Sequence, residues 1–122
     1  MYFQKGPIKT MEAGVAYTWL QQQLHTQNIS NYDTPNYKAK GVRFAETLKR
    51  ARDADGNRTY RSVLSMQVVE HDDTTVRPDG NNVDMDAESL SLYKAYAHYS
   101  LLLDKISSEF RNYNYVLNNG PR

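Results

Sequence analysis

Cysteine is absent from this 122-residue chain, which excludes a disulfide framework and any thiolate nucleophile or ligand. The chain also lacks an excess of either sign of charge, because 15 basic and 14 acidic residues leave a formal net charge of +1. That balance does not require nucleic acid or an anionic membrane as a partner. No apolar run approaches the roughly 18 to 20 residues that cross a bilayer, and no pattern of a cleaved secretory signal is seen.

The residue patterns of enzymes and metal sites are missing or incomplete. Asp53, Asp55 and Asn57 are spaced like the start of a calcium-binding loop. The sixth and twelfth positions of such a loop are then Arg58 and Leu64, where Gly and Glu are needed. No serine lies in a G-x-S-x-G context, and no glycine-rich loop could cradle phosphate. We therefore predict no catalytic, cofactor-binding or metal-binding residues and a protein that is not an enzyme.

The clearest periodic pattern in the chain runs from Met85 to Leu117. Its residues recur at alternating intervals of four and three, the spacing that keeps one seam of an α-helix against a partner. The series is Met85, Ser89, Leu92, Tyr96, Tyr99, Leu103, Ile106, Phe110, Tyr113 and Leu117. Asp84 and Asp86 suit the start of a helix, and Gly120 suits its end. We predict a helix over residues 86–118, roughly 50 Å long. Its predicted intramolecular seam is Leu92, Tyr96, Tyr99, Leu103, Ile106, Phe110, Tyr113 and Leu117.

A second helical pattern, over residues 8–30, is apolar on two sides. The two sides are Ile8, Met11, Val15 and Trp19, and Ala13, Tyr17, Leu20 and Leu24. A helix that is apolar on two sides is buried by two neighbours. We predict that one side packs on the 86–118 helix and the other contacts neighbouring copies, without deciding which. The candidate subunit contacts are Ile8, Met11, Val15, Trp19, Leu20 and Leu24. An internal helix of a small bundle is the alternative.

Turn, loop and strand signals separate the two helices. Thr34 precedes Pro35 and is thereby pushed out of the helical region, which ends the first helix. The patterns predict a short helix over residues 44–51, an exposed loop over 50–58 and a short strand over 63–70. We expect mobility within residues 50–82. The predicted fold is mainly α: one domain over residues 1–122, with antiparallel, coiled-coil-like terminal helices joined by a loop and short-strand region at 31–85.

Two short motifs stand at the inner ends of the predicted helices. Residues 27–40 read Q-N-I-S-N-Y-D-T-P-N-Y-K-A-K, and residues 79–86 read D-G-N-N-V-D-M-D. The first resembles the N-terminal signature of bacterial flagellar rod and hook proteins, N-I-[AS]-N followed by D-T-P-G-Y. The second resembles the G-N-N-V-D-L-D segment before the C-terminal helix of the shortest rod proteins. The candidate turn residues are Asn28, Asn31, Asp33, Thr34, Pro35, Asn36 and Tyr37, with Asn36 replacing the glycine of the family.

The resemblance implies a structural component of the flagellar basal body. Such a protein would polymerise into the proximal rod, which transmits torque and encloses the export channel, and would be needed for flagellum assembly and motility. Its implied partners are itself, other rod proteins, and membrane-ring and export-gate proteins at the rod base, with no nucleic acid and no small-molecule substrate. The implied location is the periplasmic rod, reached by type III export without a cleaved signal.

Two other classes of function stay open. A helical coiled-coil adaptor of a secretion system would show the same heptad spacing without needing the D-T-P turn. A single-strand nucleic-acid binder would use the ten tyrosines and the basic stretch from Arg43 to Arg61.

Overall fold

The computed structural model of this chain describes residues 7–72 and 77–120. Its elements are, in order, helix α1 (Pro7–Ser30), strand β1 (Lys40–Arg52), strand β2 (Arg58–Glu70) and helix α2 (Met85–Asn119). The helices pack against each other, and the strands form a two-stranded antiparallel ribbon. The fold is thus a helix pair with a small sheet inserted between the helices in sequence. In the described ranges, no helix combines the length and apolar character needed to cross a membrane.

Helix α2 confirms the predicted C-terminal helix. Asp84 is its N-cap, and the Asp84 carboxylate accepts hydrogen bonds from the backbone N–H groups of Asp86 and Ala87 at 3.0 and 3.2 Å. Acidic side chains at Asp86 and Glu88 oppose the positive end of the helix dipole. The 35 residues extend roughly 50 Å, so α2 projects beyond the shorter α1.

The face of α2 that packs on α1 differs from the predicted seam. Ala95 is 2% exposed, and Leu102 lies so near α1 that a Cβ on Gly14 would stand 3.1 Å from its Cδ1. These two residues alternate with half-buried members of the predicted series, which are Leu92, Tyr99, Ile106 and Tyr113. The other members, Met85, Ser89, Tyr96, Leu103, Phe110 and Leu117, are exposed.

The seam prediction was therefore wrong for four of its eight positions, Tyr96, Leu103, Phe110 and Leu117. The series through Leu92, Ala95 and Leu102 has the same three-and-four spacing but includes smaller side chains. Small side chains at Gly14 and Ala95 let the helix backbones approach closely, and that close approach decides which series faces inward.

Helix α1 is packed on two sides, and both partners belong to the same chain. Thr18 faces inward at 5% exposure, and its hydroxyl donates to the Gly14 carbonyl at 3.0 Å. On another side, the Tyr17 ring stacks on Phe44 of β1 with 4.4 Å between centroids. The Tyr17 hydroxyl also donates to the Val42 carbonyl at 3.2 Å.

This packing changes the list of candidate subunit contacts on α1. Ile8 and Leu24 are buried within the chain, at 3% and 7% exposure, which argues against both as subunit contacts in this conformation. Trp19 is 52% exposed, while Met11, Val15 and Leu20 are half-buried.

The ribbon pairs every residue of β1 with one of β2, from Lys40 opposite Glu70 to Arg52 opposite Arg58. The turn at its far end is held by Asp53, whose carboxylate accepts from the N–H groups of Asp55 and Asn57. Three predictions are corrected here. The segment 44–51 is strand and not helix, the strand predicted at 63–70 begins at residue 58, and the loop shrinks to residues 53–57. Pairing with a valine-rich partner overrides the helix propensity of β1.

Candidate functional site: the junction of the two motifs

Both sequence motifs lie at one end of the helix pair, where α1 ends, the ribbon begins and α2 starts. We call this region, residues 28–40 and 77–88, the junction. Its two segments are joined backbone to backbone, because the Asn36 N–H donates to the Asp79 carbonyl at 3.0 Å and the Asn82 N–H to the Tyr37 carbonyl at 3.4 Å. The motif that resembles the family's N-terminal signature and the motif that resembles the segment before its C-terminal helix are therefore in direct contact.

Asn81 closes the turn that follows α1. It is fully buried, and its side-chain nitrogen lies 3.0, 3.0 and 2.8 Å from the carbonyl oxygens of Asn31, Tyr32 and Thr34. Its side-chain oxygen accepts from the Val83 N–H at 2.8 Å. The two N–H donors of one amide are thus shared among three carbonyls just beyond the end of α1, of which Asn31 and Thr34 also accept from the backbone N–H groups of Thr34 and Tyr37.

Asn28 connects α1 to both the ribbon and α2. It is also fully buried, and its oxygen accepts from the Lys40 N–H at 2.9 Å and the Tyr37 hydroxyl at 3.1 Å. Its nitrogen donates to the Lys40 carbonyl at 2.8 Å and the Glu88 carboxylate at 3.1 Å. A single asparagine therefore sets the angle between α1, β1 and the first turn of α2.

A contact between the side chains of His25 and Glu88 joins α1 to α2 at the same place. His25 Nδ1 lies 2.6 Å from Glu88 Oε2, and the two side chains are 17% and 14% exposed. Burial raises the pKa of the Tyr37 phenol above its ordinary value of 10, and the nearby carboxylates of Glu88 and Glu70 raise it further. The Tyr37 hydroxyl therefore keeps its proton and remains a donor to Asn28.

Asn82 fastens the base of the ribbon. Its oxygen accepts from the Ala39 N–H at 2.7 Å, and its nitrogen donates to the His71 carbonyl. The His71 N–H donates to the Ala39 carbonyl at 3.0 Å, which continues the pairing one step below β1 and β2. The Lys38 ammonium donates to the Gly80 carbonyl at 2.7 Å.

Sequence reasoning found part of this network. Asn28 and Tyr37 are central to it, and Asn36 takes the positive φ of 60° expected of its turn. The other candidate turn residues contribute less through their side chains: Asp33 and Pro35 are exposed, and the Thr34 hydroxyl donates to Asn31 Oδ1 at 3.1 Å. The bridging roles of Asn81, Asn82, Glu88 and His25 were missed. The sequence feature that could have indicated these roles is the Asn81-Asn82 pair. A buried amide can both donate and accept hydrogen bonds without carrying charge.

The arrangement is suited to holding chain segments together. Its central groups are neutral amides already bonded within the chain, which leaves them no free role in a reaction. Within residues 7–72 and 77–120, no three His, Asp or Glu side chains gather closely enough to hold a metal ion.

Comparison with known proteins identifies the family. No family model matches the chain. Among curated proteins, "Flagellar basal body rod protein FlgB" of Bacillus subtilis (strain 168) is 32% identical over 127 residues, covering 94% of this chain and 95% of that protein. The chain belongs to the FlgB family. FlgB proteins of Borreliella burgdorferi and Escherichia coli K12 are 29% and 27% identical, over 80% and 82% of this chain.

The FlgB relationship confirms the family that the two motifs indicate. It also extends beyond them, since the alignments cover at least 80% of the chain and the motif resemblance covered the two ends. The FlgB relatives are named as rod proteins, and none of the three names describes a catalytic activity.

Proposed function

We propose that this chain is a structural subunit of the bacterial flagellar basal body and polymerises into the proximal rod. The observation that carries the proposal is the 32% identity to a FlgB rod protein over nearly the full length of both chains. The rod would transmit torque and enclose the export channel, so the chain would be required for flagellum assembly and motility.

The surface of α2 supports a role in a polymer. Large apolar side chains line faces of the helix that α1 does not cover, and a soluble monomer rarely exposes so many together. The exposed residues are Leu90, Tyr93, Tyr96, Leu101, Leu103, Phe110, Tyr115, Val116 and Leu117. We assign these residues, with Met11, Val15, Trp19 and Leu20 of α1, to contacts with neighbouring copies.

A groove between the helices provides a specific place for such a contact. It has a volume of about 370 Å³ and is lined by Glu12, Val15, Ala16, Trp19, Tyr99 and Ile106. Its walls are mainly apolar, and Trp19 at its edge is 52% exposed. An apolar side chain from an adjacent copy would fill it.

The junction would serve the polymer by fixing the ribbon to the helix pair. The buried amides of Asn28, Asn81 and Asn82 connect α1, the ribbon and the start of α2. A subunit that carries torque must keep its parts in one orientation, and buried, fully bonded polar groups hold orientation well.

The proposal also covers partners and location. Other rod proteins would meet the ends of the polymer, and membrane-ring and export-gate proteins would meet its base. The chain would occupy the periplasmic rod after type III export.

Deletion of the gene in the source bacterium tests the function directly. We expect electron microscopy to show membrane rings without rods or filaments, with rods restored by the wild-type gene. Normally flagellated, swimming cells would overturn the proposal and favour a helical adaptor.

A further inference from the structure

The far half of the ribbon, residues 49–61, is strongly basic. It holds five basic residues (Lys49, Arg50, Arg52, Arg58 and Arg61) and two acidic ones (Asp53 and Asp55), so its net charge is +3. The whole chain carries +1, which leaves −2 for all the other residues together. Positive charge is thus concentrated at one extremity of the fold.

The strand register concentrates this charge further. Arg52 lies directly opposite Arg58, and Lys49 directly opposite Arg61. Like charges in directly opposed positions destabilise a strand pair, and a two-stranded ribbon has little stability to spare. Tyr60 is 66% exposed and lies opposite Arg50. Such a surface is favourable when an anionic partner covers it.

Negative charge is concentrated at the other extremity, the junction. Its three basic residues, Lys38, Lys40 and Arg77, are half-buried. The Lys38 ammonium is already bonded to the Gly80 carbonyl, and Arg77 Nε lies 3.9 Å from the Asp79 carboxylate. The exposed carboxylates there are Asp33, Asp79, Asp84 and Asp86. Together with Glu88 they make five acidic residues against three basic ones, so the junction carries a net charge of −2 and complements the basic ribbon.

The two surfaces of one molecule are far apart. β1 leaves the junction at Lys40, which is bonded to Asn28, and runs beside α1, where Phe44 stacks on Tyr17. A strand of 13 residues extends roughly 40 Å, which places Arg52 far from the junction. Contact between two different patches on identical subunits is heterologous, and heterologous contacts that do not close into a ring build open helical polymers.

We infer that the basic half of the ribbon docks on the acidic junction of a neighbouring copy. The inference rests on the proposed function, since it names one contact within the rod. The occupant is a second copy because this chain itself carries the complementary charge, at a separation that prevents the contact within one molecule.

The absence of cysteine allows a direct test. Arg52→Cys combined with Asp86→Cys, expressed as the sole copy in the source bacterium, places one thiol on each surface. A disulfide requires Cα atoms within about 7 Å, so oxidation with copper phenanthroline links only copies in contact. We expect a ladder of multimers from isolated basal bodies, and no ladder from either single variant.

The matched control moves one thiol along α2. Asp104 is exposed like Asp86 but lies roughly 27 Å further along the helix. Arg52→Cys with Asp104→Cys should give no ladder. A double variant that enters rods yet stays monomeric on oxidation, or a control that forms the same ladder, would overturn the inference.

Charge reversal supplies a second readout. Arg50→Glu, Arg52→Glu and Arg58→Glu together should lower the fraction of cells with rods by at least about tenfold, because like charges would then meet. Asp33→Lys with Asp86→Lys should restore rods in that background. Failure to restore would refute the contact with a second copy. Binding of the purified chain to phosphatidylglycerol vesicles or to single-stranded oligonucleotide, lost on charge reversal, would assign the surface to lipid or nucleic acid instead.

The outcomes separate the inference from the function on which it rests. If gene deletion removes the rod but the triple reversal swims normally, the contact is refuted and the rod function stands. If deletion leaves flagella intact, the function itself is refuted.

Discussion

A Cβ atom on Gly80 would stand 2.6 Å from Oδ1 of Asn36. The two residues belong to different motifs, and both have a left-handed backbone, with φ of 86° at Gly80 and 60° at Asn36. The motifs therefore meet where a side chain at position 80 would require the Asn36 side chain to move. Glycine at position 80 of the second motif is therefore favoured for two reasons, the close contact with Asn36 and the left-handed backbone.

We expect Gly80→Ala to be more destabilising than Gly56→Ala. Gly56 has a similar φ of 81°, but no described atom lies within 4 Å of its would-be Cβ. Gly56→Ala should lower the free energy of unfolding by about 1 kcal/mol, the cost of the left-handed backbone. Gly80→Ala should cost up to about 1 kcal/mol more, because the Asn36 side chain must also move. Urea denaturation of both variants measures the difference, and equal losses would contradict it.

Removal of the Asn81 side chain should open the turn after α1. Asn81→Ala removes the donor to the Tyr32 carbonyl and a second donor to the carbonyls of Asn31 and Thr34, and we expect a loss of about 2 kcal/mol in the free energy of unfolding. Asn118→Ala, on the exposed surface of α2, is the matched control and should change stability by less than about 0.5 kcal/mol. A small effect of Asn81→Ala would mean that the turn holds without its bridging amide.

Two neighbouring leucines of α2 should respond differently to a charge. Leu102 faces Gly14, so Leu102→Asp should lower the free energy of unfolding by about 3 kcal/mol. Leu103 is 40% exposed, and Leu103→Asp should cost less than about 1 kcal/mol while still preventing rod assembly. Thermal unfolding and electron microscopy of complemented cells measure the two effects. Rods built from Leu103→Asp subunits would remove this residue from the subunit contacts.

Tyr37 should make the fold sensitive to alkali. Its pKa is raised in the folded chain, whereas in the unfolded chain the phenol titrates near 10. Above pH 10 the unfolded state therefore binds fewer protons than the folded state, and stability falls as pH rises. At neutral pH Tyr37→Phe should be less stable than the wild type, because it lacks the hydrogen bond to Asn28. Its free energy of unfolding should, however, fall less than that of the wild type as pH rises. Urea denaturation at pH 8 and at pH 11 would compare the slopes, and parallel slopes would contradict the assignment.

The sequence predicts the helices well because their signals are local. The capping residue Asp84 and the three-and-four spacing lie within α2 itself. The ribbon was missed because residues 44–51 have helix-compatible composition, and only their pairing with residues 58–65 makes them a strand. Pairing between distant segments leaves a weak trace in a single sequence.

The site was predicted in its location but not in its bonding. The motif residues at 28–37 are where the structure places the junction, yet the partners of Asn28 are Lys40 and Glu88. Such partners depend on how three elements converge. The residues of α2 that face α1 were predicted wrongly for the same kind of reason. Which residues face inward depends on the contact of Leu102 with Gly14, which lies on the other helix.

The ribbon also shortens the path by which this chain folds. Asn31 and Asn81 bond across 50 residues, a large loop to close from an unfolded chain. The ribbon can form first, because its strands flank a turn of a few residues and hairpins close within microseconds. Once Lys40 is opposite Glu70, the segments that remain to be placed are short: Asn28 bonds across 12 residues to Lys40, and Asn82 across 11 to His71. We therefore expect the ribbon to form early in folding and to bring the two terminal helices within reach of each other.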